Sequence, residues 1–408
     1  MLPRLLCFSD VPPEPTFHGS ALLYRLLEDY PTERLLIVQV RPIYSAPDRR
    51  IPDVAYQEFR MTGNRWRFTR ISHLAGSYML LNVARHARKL SGSLGGFAPE
   101  AVLTVTHGFS CLVAARFAEI QKLPLHLILH DEWPPSMPVF RWLRSRQDRS
   151  FRKAYRYASS RLCVSPFMDE EYRAIYGAAG QVLYPSWAKN VSPFAGTLRA
   201  HNDNSRALVG AYAGNIFRED YARLVLKLAE RLEAQGGRLL LFGAHTQERL
   251  RSWGLNRKNI LPQGLVPSRE LISRLSAEAD FLFVPMSFES ESDDRSMRIA
   301  FPSKLTDYTA AGLPILIWGP EYCSAVRWAQ RYAPVAEVVT SQAVEDVDAA
   351  LSRLEQAQYR EQLGRAAREI GEKLFSHRAA MDIFQGALLH PSSTGKVQRA
   401  ECASFEER

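Results

Sequence analysis

The chain reads as an α/β protein made of two tandem Rossmann-like, doubly wound parallel-sheet domains. Three observations predict this. Its 408 residues are too many for one compact core. Short apolar runs alternate with amphipathic helical stretches, the pattern of βαβ units. That alternation lapses from Ser186 to Arg206, a stretch rich in Asn, Pro, Gly and Ser, and restarts at Ala207.

In order, Arg4 to Ser9 reads as a first strand, followed by a Pro-rich loop (11–20) and a helix burying Leu22, Leu23, Leu26 and Leu27. Leu35 to Val40 is the second strand. Residues 41–73, rich in Arg and Pro, carry no clear period. Leu74 to Leu90 reads as helix. Ala101 to Thr106 is a strand ending in His107-Gly108, with a helix from Ser110. Leu125 to Leu129 is a strand ending in His130-Asp131. A basic helix covers about 139–159, and Arg161 to Ser165 is the next strand. In the second half, Ala207 to Ala213 is a strand, and the helix from Tyr221 to Ala234 spaces Leu224, Leu228 and Leu232 at four residues. Arg238 to Gly243, Asn259 to Leu261 and Phe281 to Pro285 are strands, with a helix from Pro267 to Ala279. Val335 to Thr340 is the last strand, and charged amphipathic helices fill 342–390. The expected divisions are 1–190 and 207–376, joined by a linker at 191–206, then a helix at 377–390 and a disordered tail at 391–408.

Composition narrows the function. The net charge of +9 favours an anionic substrate or surface without requiring nucleic acid, and no nucleic-acid motif is present. The five cysteines are odd in number and widely spaced, which suits small buried hydrophobes in a reducing compartment better than a disulfide framework. No apolar run is long enough for a signal peptide or a bilayer span, so the expectation is a cytoplasmic protein, soluble or peripheral on the inner face of a membrane. A dinucleotide-dependent oxidoreductase is disfavoured, because no Gly-x-Gly-x-x-Gly follows a strand.

The stretch Phe301-Pro-Ser-Lys-Leu-Thr-Asp-Tyr-Thr-Ala-Ala-Gly-Leu-Pro-Ile-Leu-Ile-Trp318 carries the most chemistry. Pro302 pre-sets a helix start and Ser303 is an expected cap. Gly312 should end the helix, Pro314 prevents its resumption, and the run to Trp318 is a buried parallel strand. A hydroxyl, a lysine and the positive end of the dipole therefore meet where a phosphate group sits well.

This stretch resembles the donor-binding segment of GT-B-fold glycosyltransferases of the retaining, glycosyltransferase-4-like kind, and the tandem halves extend the resemblance over nearly the whole chain. The resemblance implies that a nucleotide diphosphate sugar binds the C-terminal half and the acceptor, a glycan or lipid-linked hydroxyl, faces the N-terminal half across an interdomain cleft. The helix at 377–390 would cross back to the first domain. Lys304 and Arg218 would stabilise the departing diphosphate, helped by Ser303. Gly214 and Asn215 would let the backbone approach the donor. Asp307 would hold ribose, Gly243 would lie in the same site, and the backbone around Leu265 would hold the base. His107 would contact the transferred sugar, and Gly19, His130 and Asp131 would lie on the acceptor side.

The chain departs from the family where two glutamates are usual. The second position is Asp307 and the first is Ile299, so Glu289, Glu291, Asp293 or Asp294 in the preceding loop is expected to take the sugar-facing role. No cofactor and no metal are expected, since Lys, Arg and a helix dipole can hold the diphosphate. The missing glutamate keeps two alternatives open, a non-catalytic nucleotide-sugar-binding protein and a GT-B nucleotide-sugar epimerase. Separately, eight basic residues from Arg141 to Arg161 face the single acid Asp148, which is expected to offer a patch to an anionic membrane surface.

Overall fold

A computed structural model of the chain describes residues 1–15, 18–40, 46–66, 69–135, 137–191, 207–216, 218–266, 268–289 and 295–390. They form two compact units. One is Met1–Leu183 with the chain from Met381 onward, and the other is Tyr184–Ala380.

The first unit holds β1 (Leu5–Ser9), β2 (Leu35–Gln39), β3 (Ala55–Glu58), β4 (Ala101–Val105), β5 (Leu125–Leu129), β6 (Ser160–Cys163) and β7 (Gln181–Val182), in the order β3-β2-β1-β4-β5-β6-β7. The second holds β8 (Val209–Ala213), β9 (Arg238–Phe242), β10 (Ile260–Gly264), β11 (Phe281–Pro285), β12 (Ile315–Trp318) and β13 (Glu337–Val339), in the order β10-β9-β8-β11-β12-β13. All pairings are parallel, with registers such as Cys7↔Leu103 and Val284↔Ile317. The central strands are buried along their whole length because helices cover both faces of a parallel sheet, which is why they read as continuous apolar runs. In each sheet the chain winds outward from its first strand and then restarts on the other side. The switch points therefore fall between β1 and β4, and between β8 and β11.

Leu224, Leu228 and Leu232 of the helix Glu219–Ala234 pack against Leu239, Leu241, Phe281 and Phe283, as their four-residue spacing predicts. The helix Lys304–Ala311 ends at Gly312, which adopts φ 67° as the C-cap. On its outer side lies the helix Ala357–Phe375, so close that a Cβ on Gly364 would lie 2.3 Å from the Gly312 carbonyl oxygen.

Four differences from the sequence reading have local causes. The stretch 41–73 contains β3, a polar edge strand whose residues are half-buried or exposed and so lack an apolar period. The helix expected at 74–90 is two, Ser72–Leu81 and Val83–Ser91, interrupted at Asn82 (φ −103°, ψ 14°). The basic helix is shorter than expected, a 3₁₀ turn at Arg141–Leu143 followed by Arg144–Tyr157. Four α-helices were not anticipated: Pro166–Tyr176, capped by the Ser165 hydroxyl accepting from Met168 N–H at 3.0 Å, Gln247–Ser252, Arg295–Ile299 and Ser324–Arg331. Cys7, Cys111, Cys163 and Cys323 are buried free thiols. Among the described residues, no helix is long and apolar enough to cross a membrane. Cys402, the expected tail and all but the first residue of the expected 191–206 linker lie outside them.

Candidate functional site

The site builds up from the carboxyl end of β8. Gly214 takes φ 139° and Gly243, at the end of β9, takes φ 151°, both in the region that favours glycine. The two turns touch: a Cβ on Gly243 would lie 2.6 Å from the Gly214 carbonyl oxygen. Asn215 ties them further, its Oδ1 accepting from Ala244 N–H at 3.0 Å. His245 closes this corner. Burial lowers its pKa, the Gly214 carbonyl opposes that shift, and Arg249 adds to it.

The first turn of Lys304–Ala311 is fastened to the same place by two tyrosines. The buried Tyr308 hydroxyl accepts from Ala213 N–H at 2.7 Å. Burial raises its pKa far above the usual phenol value. Tyr212 accepts from Lys304 Nζ at 2.9 Å, donates to the Asn215 carbonyl at 3.3 Å, and holds the ammonium 4.1 Å from its ring centroid. An ammonium is unfavourable at a helix N-terminus. The phenol oxygen and ring face offset that cost and aim Nζ at Gly214, whose added Cβ would lie 3.7 Å from it.

Arg218 directly precedes the helix Glu219–Ala234. Its guanidinium pairs with Asp220 through Nε at 3.1 Å and Nη2 at 2.6 Å, yet the side chain is 55% exposed, so its outer edge faces solvent. Burial pushes the Asp220 carboxyl up, but hydrogen bonds from Ser287, Arg218 and Tyr221 N–H outweigh it and lower its pKa. Arg218 and Lys304 line one cavity of about 250 Å³ with Met286, Ser296, Phe301 and Pro302, and among the described residues no acidic one lines it. This is somewhat below the roughly 300–1,000 Å³ of whole-ligand sites. It suits an anionic group of diphosphate size lying beyond the β8/β11 switch point.

Not every expected residue joins this cavity. Ser303 adopts helical angles and makes no side-chain cap hydrogen bond. Its carbonyl instead accepts from Thr306 N–H and Oγ1, so the expected cap is not formed. Asp307 is half-buried in the first turn, away from the cavity lining. Glu289 pairs with Arg223, which also holds Glu219, and it does not line the cavity. Leu265 follows β10, is 79% exposed and does not line the cavity. Ile299 is buried. Glu291, Asp293 and Asp294 lie outside the described residues. Among those described, no three His, Cys, Asp or Glu side chains gather as a metal site.

The first unit has its own polar cluster beyond β4 and β5. His107 Nδ1 lies 3.0 Å from Asp131 Oδ2, and His130 Nδ1 lies 3.5 Å from the other carboxyl oxygen. Burial pushes the Asp131 carboxyl up, but the two histidines pull it the other way and win, holding it well below the usual carboxylate range. At the β1/β4 switch point, Asp10 accepts from the Ser110 hydroxyl at 2.5 Å and from its N–H at 3.2 Å. Gly19 lies within the helix His18–Leu27 rather than in a loop before it. Sequence reasoning missed Tyr212, Tyr308, Asp10 and Ser110. The tyrosines sit at strand and helix positions that look like core, and only the hydroxyl's reach across elements reveals their part.

The fold defined by these two units is GT-B. HepE from Anabaena, in a complex with UDP-glucose, matches 94% of this chain and 99% of its own at TM-score 0.62 and 14% identity. Sucrose-phosphate synthase from Thermosynechococcus elongatus matches 95% and 98% at TM-score 0.64 and 14% identity. A UDP-forming α,α-trehalose-phosphate synthase from Burkholderia vietnamiensis matches 95% and 99% at TM-score 0.58 and 14% identity. No family model and no curated protein sequence matches the chain.

Proposed function

We propose that the protein is a glycosyltransferase that moves a sugar from a nucleotide diphosphate sugar to a hydroxyl acceptor. The observation that carries this reading is the cavity beyond the β8/β11 switch point, where Arg218 and Lys304 converge beside the Gly214 turn. Structures of the same fold with UDP and UDP-glucose bound support the choice of ligand class. In this reading the diphosphate gains charge as the sugar leaves. Lys304 and Arg218 stabilise that charge in the transition state more than in the ground state. Gly214 admits the phosphates to the backbone, Asn215 and Gly243 hold that turn open, and Asp307 takes the ribose. The backbone at Leu265 offers a place for the base. In the first unit His107, His130 and Asp131 handle the sugar and the acceptor.

Retention at the anomeric carbon follows from the resemblance, with the leaving phosphate taking the acceptor proton on the same face. A second reading rests on the His107–Asp131 pair. An imidazole oriented by a carboxylate at Nδ1 is the arrangement of a general base, which would favour inversion. Incubation with a panel of nucleotide sugars and candidate acceptors tests both. Transfer is expected, and the anomeric coupling of the product in NMR distinguishes retention from inversion. Binding with no turnover would leave a non-catalytic module, and an isomerised donor an epimerase.

A further inference from the structure

We propose that the first unit carries a docking face for an anionic lipid bilayer, centred on the helix Ser72–Leu81 and the turn beside it. Ile71, Leu74, Tyr78 and Leu81 recur at steps of three and four residues, so they share one face of the helix, and all four are exposed, Leu74 by 55%. The opposite face is spent on the core through Ala75, Met79 and Leu80. The helix is thus apolar on both sides, one in the core and the other turned to solvent, and an exposed apolar patch of this kind marks an interaction surface.

The neighbouring turn extends the stripe. A Cβ on Gly76 would lie 1.8 Å from the Pro138 carbonyl oxygen, and Phe140 N–H donates to the Ser77 hydroxyl at 3.0 Å. The 138–140 backbone therefore runs against the edge of the helix and brings two more exposed apolar side chains, Phe140 and the 73% exposed Trp142. Tryptophan and tyrosine on one rim are suited to the headgroup boundary, where an apolar ring has a wet edge.

Charge selects the occupant. From Phe59 to Pro99 the chain has seven Arg or Lys residues and no Asp or Glu. Arg70 directly precedes the stripe, Arg85 follows it by one turn, and Arg141, Arg144 and Arg146 are exposed around Trp142. An apolar stripe bordered by one sign of charge fits anionic headgroups. Within the 141–161 stretch expected to serve this purpose, the charges beside Trp142 are those at its start. Arg152 donates to the Ile175 carbonyl at 2.8 Å, Arg156 to that of Tyr176 at 2.9 Å, and Arg161 to that of Ala158 at 2.6 Å, while Lys153 pairs with Glu119. These contacts tie the later part of the stretch to the fold, and the lipid-facing charges are those nearer Trp142.

The test is co-sedimentation with phosphatidylcholine vesicles, with and without phosphatidylglycerol, at low and high salt. The parent should bind the anionic vesicles, and more weakly at high salt. Leu74→Glu with Trp142→Glu should lower partitioning by about tenfold or more while leaving the melting temperature near that of the parent. Should that pair fold poorly, Leu74→Ser with Trp142→Ala asks the same question more gently. Absence of binding by the parent, or equal binding by the paired variants, overturns the proposal. So does a parent that is dimeric without lipid, ignores vesicles and becomes monomeric in the variant, since the face would then belong to a second copy.

Discussion

Lys304 is the residue on which the site turns, because the Tyr212 oxygen and the Tyr212 ring together fix its ammonium beside the turn at Gly214. If it stabilises charge developing on a leaving diphosphate, Lys304→Ala should lower kcat by about two orders of magnitude with a smaller change in KM. Lys304→Arg should rescue only in part, since a guanidinium cannot occupy the same point over the ring. Tyr212→Phe keeps the ring and removes the acceptor, so it should cost roughly tenfold in kcat. Steady-state kinetics on folded variants checks all three, and near-normal turnover in Lys304→Ala would remove this helix from the chemistry. A second residue sets a pH limit. His126 on β5 is fully buried, with Nδ1 2.8 Å from the Ser160 hydroxyl, and burial lowers its pKa to about 4. As pH falls past about 6.5 the unfolded chain takes up that proton before the folded one does. Stability should therefore be intact above that pH and decline by about 3 kcal/mol toward pH 4. Denaturant titrations across that range should show a slope that His126→Gln removes, and equal slopes in parent and variant would contradict the assignment.

At the scale of elements, the site depends on two glycine turns pressed together at the ends of β8 and β9. Gly243→Ala places a Cβ 2.6 Å from the Gly214 carbonyl oxygen at a φ of 151°, whereas the nearest atom to a Cβ on Gly214 is 3.5 Å away. Both substitutions carry backbone strain on the order of 1–3 kcal/mol, and Gly243→Ala adds a collision with backbone. Thermal unfolding should rank the parent above Gly214→Ala and Gly214→Ala above Gly243→Ala; an unaltered melting temperature in Gly243→Ala would contradict the close approach. These elements were legible because periodicity and glycine punctuation are local. The run Ile315 to Trp318 announced a buried strand, and Gly312 the end of its helix. The edge strand β3 was not legible, since a polar, partly exposed strand leaves no apolar signature. Nor was the fate of Ser303, whose residue type suits a cap but whose backbone is already helical. The pairing of Glu289 was hidden for a related reason. Its partner Arg223 is distant in sequence, and only the folded chain brings them together.

For the whole molecule, two doubly wound sheets account for how an identity near 14% can accompany matches over 94% of the chain. Buried strands tolerate exchange among Val, Ile, Leu and Phe so long as volume and pattern persist. The ligand position is set by topology, because a switch point opens a crevice at the strand ends whatever the side chains are. What topology leaves free is the lining. Here the lining joins Arg218 and Lys304, while the excess of positive charge over the chain draws anions toward it. The most direct measurement is calorimetric titration of the full chain with uridine, guanosine and adenosine diphosphates, repeated on Arg218→Ala with Lys304→Ala. The account predicts that one nucleotide binds at a single site per chain and that the paired variant binds it at least about tenfold more weakly while remaining folded. Binding of none of them, or equal affinity in the variant, would contradict it.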